Sequence, residues 1–336
     1  MPNFKDIVGH QKLKQHLQAA ISQDKVSHAY IINGEQGAGK RLIASVISQT
    51  LQCSDPKKNG NDINPCGRCK SCLQAESGNH PDIIWVTHEK YSIGVDDIRV
   101  QVNNDTGIKP YSSPYKIYII NEAEKMTEQA QNAILKTIEE PPSYGIIILL
   151  TNNMNHILQT IRSRCVFLDL KVVEEEKIVR YLIEKYGIPD YAAKLAAQFS
   201  QGNIGKSIRY GTSSDFMQIK EDVLHLLKYI DDMEINEIID AIKNLSQHKL
   251  EINDCIDFMQ LWYRDVLMLK VTNDPNMLLF KEEYHFLSEQ AKRRGYEEVE
   301  NIMKSMDKAK VRLNANVNFE ITMELMLLTL KECRND

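Results

Sequence analysis

Glycine and proline are scarce in this sequence, with 15 and 10 residues among 336, which favours helices over a loop-rich or all-β fold. The longest aliphatic run, Ile146–Leu150, has five residues, whereas a membrane helix needs about 20. The N-terminal MPNFKDIVGH has no apolar core and no small-residue cleavage site, so we expect a cytoplasmic protein without a membrane partner. Since the formal net charge is −5, contact with DNA requires a local basic patch or a larger complex.

The cysteines argue for a metal site rather than for disulfides. There are seven, an odd number, in a chain without an export signal, which indicates a reducing compartment. Four of them combine a C-x-x-C-x-x-C run with one upstream residue, and these are Cys53, Cys66, Cys69 and Cys72. Such a set can close a tetrahedral site around one structural Zn²⁺, although an iron–sulfur cluster or a redox pair remains an alternative. The polar residues 54–65 suit a flexible loop, and Cys165, Cys255 and Cys333 are expected to be ordinary thiols.

Aliphatic segments alternate with helical patterns through the first half of the chain. The predicted strands include residues 82–87, 116–121, 145–151 and 165–170, and the predicted helices include 40–52 and 127–140. Continuous aliphatic strands between helices indicate a parallel sheet covered on both faces. Beyond about residue 170 only helical patterns occur. We therefore predict an α/β fold followed by an all-α part, with domains at 1–170, 171–213 and 214–336 and a zinc module at about 53–80.

A glycine-rich turn follows the first predicted strand and opens a helix. Its motif residues are Gly34, Gly37, Gly39 and Lys40, and G-x-x-x-x-G-K in this setting cradles phosphates with backbone amides. Two magnesium-supporting positions are changed: Arg41 replaces the usual hydroxyl residue, and Asn121 replaces an aspartate at the end of a strand, with Glu122 next to it. We therefore expect weak ATP or ADP binding, a degenerate Mg²⁺ site and no efficient hydrolysis by the chain alone. A tight turn that binds nothing is the alternative.

Several motifs together resemble one protein family. HAYIINGEQGAGK (28–40), the four-cysteine insertion, NAILKTIEEPP (132–142) and IRSRC (161–165) occur in this order. The set resembles the clamp-loader branch of the AAA+ ATPases, the subunits that serve bacterial DNA polymerase III. The resemblance implies an AAA+ P-loop domain with a zinc-binding insertion, a small helical lid and a C-terminal helical collar. It also implies a hetero-pentamer with clamp-loader ATPase subunits and a delta subunit, which places a sliding clamp on primed DNA.

The resemblance assigns this chain to the non-hydrolysing members of the family. In Ser163-Arg164-Cys165, Arg164 matches the arginine that these subunits donate in trans to the ATP site of a neighbour. Gly205 stands where hydrolysing members carry an arginine that senses the γ-phosphate. Two alternatives remain open at this point: an active clamp-loader ATPase, and a zinc-dependent DNA-binding module.

Overall fold

The computed structural model describes residues 2–60, 62–213, 216–246 and 252–332. The chain forms two compact units, residues 1–208 and 209–336. The first unit is an α/β structure and the second is helical throughout its described part, so the predicted fold class is confirmed. The finer division at residues 170 and 213 stays a prediction.

A five-stranded sheet in the order β4-β5-β6-β1-β7 forms the centre of the first unit. Every neighbouring pair is parallel. Successive side chains of β1 enter opposite cores, with Ile32 on one face and Ile31 on the other. Burial on both faces explains why these strands are continuous aliphatic runs. The strands of the chain are β1 (Ala29–Asn33), β2 (Lys57–Asn59), β3 (Asp62–Asn64), β4 (Ile83–Val86), β5 (Lys116–Ile120), β6 (Gly145–Thr151) and β7 (Val166–Asp169).

The helices of the first unit cover the sheet, and their ends are set by local chemistry. The helix α5 begins after Thr127, whose side chain accepts a hydrogen bond from the Ala130 amide at 3.2 Å, and Pro141 follows its end. The helices up to the unit boundary are α1 (Gln11–Ser22), α2 (Lys40–Gln52), α3 (Lys70–Glu76), α4 (Val95–Ile98), α5 (Glu128–Glu139), α6 (Gln159–Arg162), α7 (Glu175–Tyr186), α8 (Asp190–Phe199) and α9 (Ile204–Thr212). Because β1, β5 and β6 are parallel, the loops at their carboxyl ends meet at one edge of the sheet.

The segment between Cys53 and Cys66 differs from the expected flexible loop. It contains an antiparallel hairpin of β2 and β3. Ile63 explains why this segment is ordered, because its side chain is only 2% exposed and joins a core of the first unit. Its carbonyl also accepts a hydrogen bond from Gln18 Nε2 of α1 at 3.1 Å. The hairpin is therefore held by protein contacts as well as by any metal.

The second unit packs its helices around Trp262, which is fully buried. Its indole donates a hydrogen bond to Gln290 Oε1 at 2.9 Å. Arg294 is also fully buried and pairs with Asp231. The described helices of this unit are α10 (Phe216–Tyr229), α11 (Ile235–Ser246), α12 (Ile252–Thr272), α13 (Tyr284–Arg293), α14 (Tyr296–Asn314) and α15 (Phe319–Glu332). Within the described ranges, no helix has the length and apolar character needed to cross a bilayer.

Candidate functional site

The phosphate loop, residues 34–39, connects β1 to α2 and depends on its glycines. Gly37 and Gly39 have φ values of +87° and +97°, which residues with a side chain rarely adopt. Gly34 is required for another reason, since a Cβ there would lie 2.9 Å from the Cβ of Leu170. All three glycines of the motif are thus needed to form the turn.

The lysine of the motif is bound by the loop itself. Lys40 Nζ donates hydrogen bonds to the carbonyl oxygens of Gly34 at 2.5 Å and Glu35 at 2.9 Å. Burial lowers the pKa of Lys40, although Glu124 and Glu122 oppose this effect. These two bonds use two of the three donors of the ammonium group, so a phosphate would bind the third donor or replace a carbonyl acceptor.

The positions that support magnesium in hydrolysing proteins are occupied differently here. The guanidinium of Arg41 lies over the ring of Trp85, with Cζ 5.0 Å from the ring centre, a cation–π contact. Asn121 contributes a neutral amide beside the loop. Glu122 has a φ of +52° and its Oε1 pairs with Lys125 Nζ at 3.0 Å. Mg²⁺ prefers carboxylate, water and phosphate oxygens, so this arrangement offers it a poor site.

The start of α9 packs directly onto the phosphate loop. The Gly205 amide donates to the Gly37 carbonyl at 2.9 Å, and Asn203 Nδ2 donates to the Gln36 carbonyl at 2.8 Å. A Cβ on Gly205 would lie 2.7 Å from Gly37 Cα and 2.8 Å from its oxygen. An arginine therefore cannot occupy position 205 while this backbone contact exists.

A cleft of about 320 Å³ opens beside the loop, with opposing charges along its wall. Lys40 and Arg41 line it together with Glu122 and Glu124. The remaining lining residues are Gln36, Gly37, Gly39, Leu42, Asn121, Leu150 and Asn152. Because carboxylates lie beside the cations, the cleft is less suited to a polyphosphate than a purely basic one.

The four predicted metal ligands come together as one cluster. Their sulfurs all lie within 4.8 Å of one another, with Cys53–Cys69 at 4.0 Å and Cys66–Cys72 at 3.9 Å. A tetrahedral zinc with Zn–S bonds of about 2.3 Å places its sulfurs about 3.8 Å apart. The amides of Cys66, Cys69 and Cys72 donate to the sulfurs of Cys53, Cys66 and Cys69 at 3.2, 3.4 and 3.4 Å. The donor set and its spacing fit a closed zinc site.

Hydrogen bonds favour the thiolate form of Cys66 and Cys69, whereas burial raises the pKa of Cys53 and of Cys72. A hydrogen bond from the Arg68 backbone lowers the pKa of Cys66. Burial would raise the pKa of Cys69, but hydrogen bonds from Ser54 and the Cys72 amide lower it to about 6. Thiolates are the form that binds metal.

The other cysteines are separate from this cluster. Burial raises the pKa of Cys165 and of Cys255 to about 12, so both carry protonated thiols at neutral pH. Cys333 lies outside the described residues. The two described thiols have the character expected of ordinary cysteines.

Arg164 lies at the surface, where α6 is followed by β7. Its side chain is 42% exposed, and its Nε forms an ion pair with Glu139 Oε1 at 2.8 Å. Its Nη1 donates to the carbonyl of Thr160 at 3.0 Å and to Ser163 Oγ at 3.2 Å. The nearby Arg162 is half-buried, and its Nε has no hydrogen-bond partner among the described residues. Of these two arginines, Arg164 is the one fixed at the surface.

Comparison with known proteins shows what the chain is similar to. Residues 9–174 match the family described as DNA polymerase III, delta subunit. The chain is 28% identical over 318 residues to the DNA polymerase III subunit delta' of Bacillus subtilis, covering 93% of each chain. The chain is similar to subunits of DNA polymerase III. It is also 27% identical to the tau subunit of the same organism, over 95% of this chain and 60% of that protein. A Thermotoga maritima structure titled as gamma subunit-related has 20% identity and a TM-score of 0.47, covering 94% of this chain and 99% of that one.

The delta' match confirms the resemblance found in the motifs, and it extends through the C-terminal half, where the motifs were sparse. The individual site residues stay predictions. The structure brings Gly34, Gly37, Gly39 and Lys40 into one loop, and the cysteines into another site. It places Arg164 in neither of these two sites.

Two further residues at these sites were not predicted from the sequence. Asn203 is 6% exposed, and its Oδ1 accepts a hydrogen bond from the Lys206 amide at 3.1 Å, which caps the start of α9. The asparagine before a helical pattern was the available signal. Glu139, the partner of Arg164, stands in the LKTIEEPP motif, but nothing in the sequence distinguished it from Glu140.

Proposed function

We propose that this chain is a non-hydrolysing clamp-loader subunit that supplies Arg164 in trans to the ATP site of a neighbouring subunit. In this role it assembles with ATPase subunits and a delta subunit into a hetero-pentamer. The assembly loads the sliding clamp onto primed DNA in the bacterial cytoplasm. The names of its relatives, which are subunits of DNA polymerase III, support assembly with other subunits of that kind.

The observation that carries the proposal is the contrast between the chain's own phosphate loop and its exposed arginine. Lys40 binds loop carbonyls, and Arg41 lies on Trp85. Gly205 closes on the loop where hydrolysing members carry a sensing arginine. Efficient hydrolysis needs a bound metal and several charged groups around the γ-phosphate. The chain's own site lacks this combination, whereas Arg164 is available at the surface.

An arginine supplied from a neighbour stabilises charge on the phosphoryl group being transferred. Its planar guanidinium matches phosphate oxygens and stays charged at every relevant pH. Loss of such a finger costs roughly 10³–10⁵ in rate in well-studied NTPases. Weak ATP or ADP binding in the chain's own cleft is compatible with this role and is not required for it.

We assign the cysteine cluster a structural Zn²⁺ held by Cys53, Cys66, Cys69 and Cys72. Four sulfur ligands leave no open position, so the metal would hold the module together without taking part in phosphoryl transfer. It would join the end of α2 to the start of α3, because Cys53 directly follows α2 and Cys72 lies in α3.

The test is ATP hydrolysis by the reconstituted loader, stimulated by clamp and primed DNA. The assembly with Arg164→Ala should lose at least the turnover of the one site that this arginine completes. The chain alone should show no turnover, because its magnesium-supporting residues are replaced. The Lys40→Ala assembly serves as the control for the chain's own site and should retain its turnover.

Three results would contradict the proposal. Full activity of the Arg164→Ala assembly would mean that the chain serves only as a scaffold. Steady hydrolysis by the lone chain would show that Arg41 and Asn121 are compatible with catalysis. Tight, salt-sensitive DNA binding by the lone chain, abolished by metal removal, would favour the zinc-dependent DNA-binding alternative.

A further inference from the structure

We propose that Glu139 is the positioning residue for Arg164, holding the guanidinium so that its Nη2 group faces a neighbouring subunit. The inference rests on the proposed trans role of Arg164 and adds a second residue to it. Glu139 is the last residue of α5, and Arg164 follows α6. Two separate helices thus combine to fix one side chain.

The contacts restrain the guanidinium on two of its three nitrogens. On one side, Nε lies 2.8 Å from Glu139 Oε1. On another, Nη1 donates to Thr160 O at 3.0 Å and to Ser163 Oγ at 3.2 Å. Within the part of the chain that the structure describes, Nη2 donates no hydrogen bond. The free group is the one that could reach a phosphate oxygen on a neighbour.

Such restraint is useful because a long arginine side chain is otherwise mobile. Ordering it at the moment of reaction costs rotamer entropy, and a small displacement of a catalytic group lowers the rate. Glu139 and its neighbours keep the guanidinium ordered before a subunit docks. The carboxylate contacts Nε and the loop contacts Nη1, so Nη2 is the nitrogen that remains for a phosphate oxygen.

The end of α5 is held in place by packing, which fixes the backbone position of Glu139. Ile134 and Ile138 are buried in the sheet core, and Pro141 prevents the helix from continuing. The next residue, Glu140, is also exposed but forms no ion pair with the described residues. Glu140→Gln therefore removes the same charge from the same helix end without touching Arg164, and is a matched control.

The first experiment compares reconstituted loaders carrying Glu139→Gln, Glu139→Asp, Glu140→Gln or Arg164→Ala. Exposed ion pairs contribute little free energy, so Glu139→Gln should lower the turnover of the site that Arg164 completes roughly 3- to 10-fold, against ~10³–10⁵ at the same site for loss of the finger itself. KM for ATP and the yield of assembled loader should stay unchanged, since the chain and its neighbour still fold and bind nucleotide. Glu139→Asp should recover part of the rate, and Glu140→Gln should match wild type.

The second experiment observes the ion pair in the chain alone. The Nε–H resonance of Arg164 in a ¹⁵N-arginine sample should shift on Glu139→Gln and stay in place on Glu140→Gln. An unchanged resonance would remove the structural basis of the inference, whatever the kinetics show.

The outcomes separate this inference from the function on which it rests. If Arg164→Ala leaves turnover intact, the trans-arginine function itself fails. If Arg164→Ala abolishes the site's turnover but Glu139→Gln equals Glu140→Gln, only the positioning role fails. A Glu139→Gln loader that is faster than wild type would also overturn the inference, because Glu139 would then compete with phosphate for the arginine.

Discussion

Replacing Gly205 by alanine tests the contact between α9 and the phosphate loop. The new Cβ would lie 2.7 Å from Gly37 Cα and 2.8 Å from Gly37 O, and neither is the movable end of a side chain. The loop or the helix must therefore shift. Overpacking of this kind typically costs about 1–3 kcal/mol, and weakening the Gly205–Gly37 hydrogen bond adds about 1 kcal/mol.

A total of about 2–4 kcal/mol corresponds to a fall in Tm of about 4–16 °C for a unit of this size. Thermal denaturation followed by circular dichroism would measure it. Gly107→Ala is the matched control, because a Cβ there meets nothing within 4 Å. If Gly205→Ala melts within a degree of Gly107→Ala, the close packing of α9 on the loop is wrong.

Two further predictions concern the cysteine cluster and the second unit. Metal analysis should give one zinc per chain, and Cys72→Ser should reduce both the zinc content and the Tm; iron with a visible absorption band would contradict this assignment. Asp231→Ala should destabilise the second unit by about 3–5 kcal/mol, since it leaves the guanidinium of Arg294 buried without its carboxylate. Urea unfolding would measure this loss, and a change below about 1 kcal/mol would refute the importance of the pair.

The parts of the fold that local pattern controls were predictable from sequence. The runs IIILL in β6 and IYII in β5 have few alternatives to a buried parallel strand. The hairpin of β2 and β3 was missed because its residues are mostly polar and only Ile63 enters the core. The dipeptide Gly60-Asn61, which stands between the two strands in the sequence, was a usable signal, since Gly-Asn between two short extended segments favours a hairpin.

The candidate sites likewise contain some features that the sequence predicts and others that it does not. The cysteine spacing predicted which four sulfurs come together, because these residues are close in sequence and chemically distinctive. The contacts of the phosphate loop with α9 could not be found in this way, since Gln36 and Asn203 are 167 positions apart. The choice of Glu139 over Glu140 likewise depends on where α5 ends relative to α6, which no local pattern specifies.

Hydrogen bonds within the protein hold the phosphate loop of this chain to its own lysine and to the start of α9. In a nucleotide-binding loop, the lysine ammonium must be able to contact phosphate. The helical lid must also be able to move when nucleotide binds. Here Lys40 is bonded to Gly34 and Glu35, and the carbonyls of Gln36 and Gly37 accept hydrogen bonds from the start of α9. The backbone amides that would bind phosphate are not the groups used in the contacts with α9, so only the bonding of Lys40 would have to change when a phosphate binds. The glycines of the motif permit the close packing of the loop against α9, and under the proposed function Arg164 would complete a site on a neighbouring subunit.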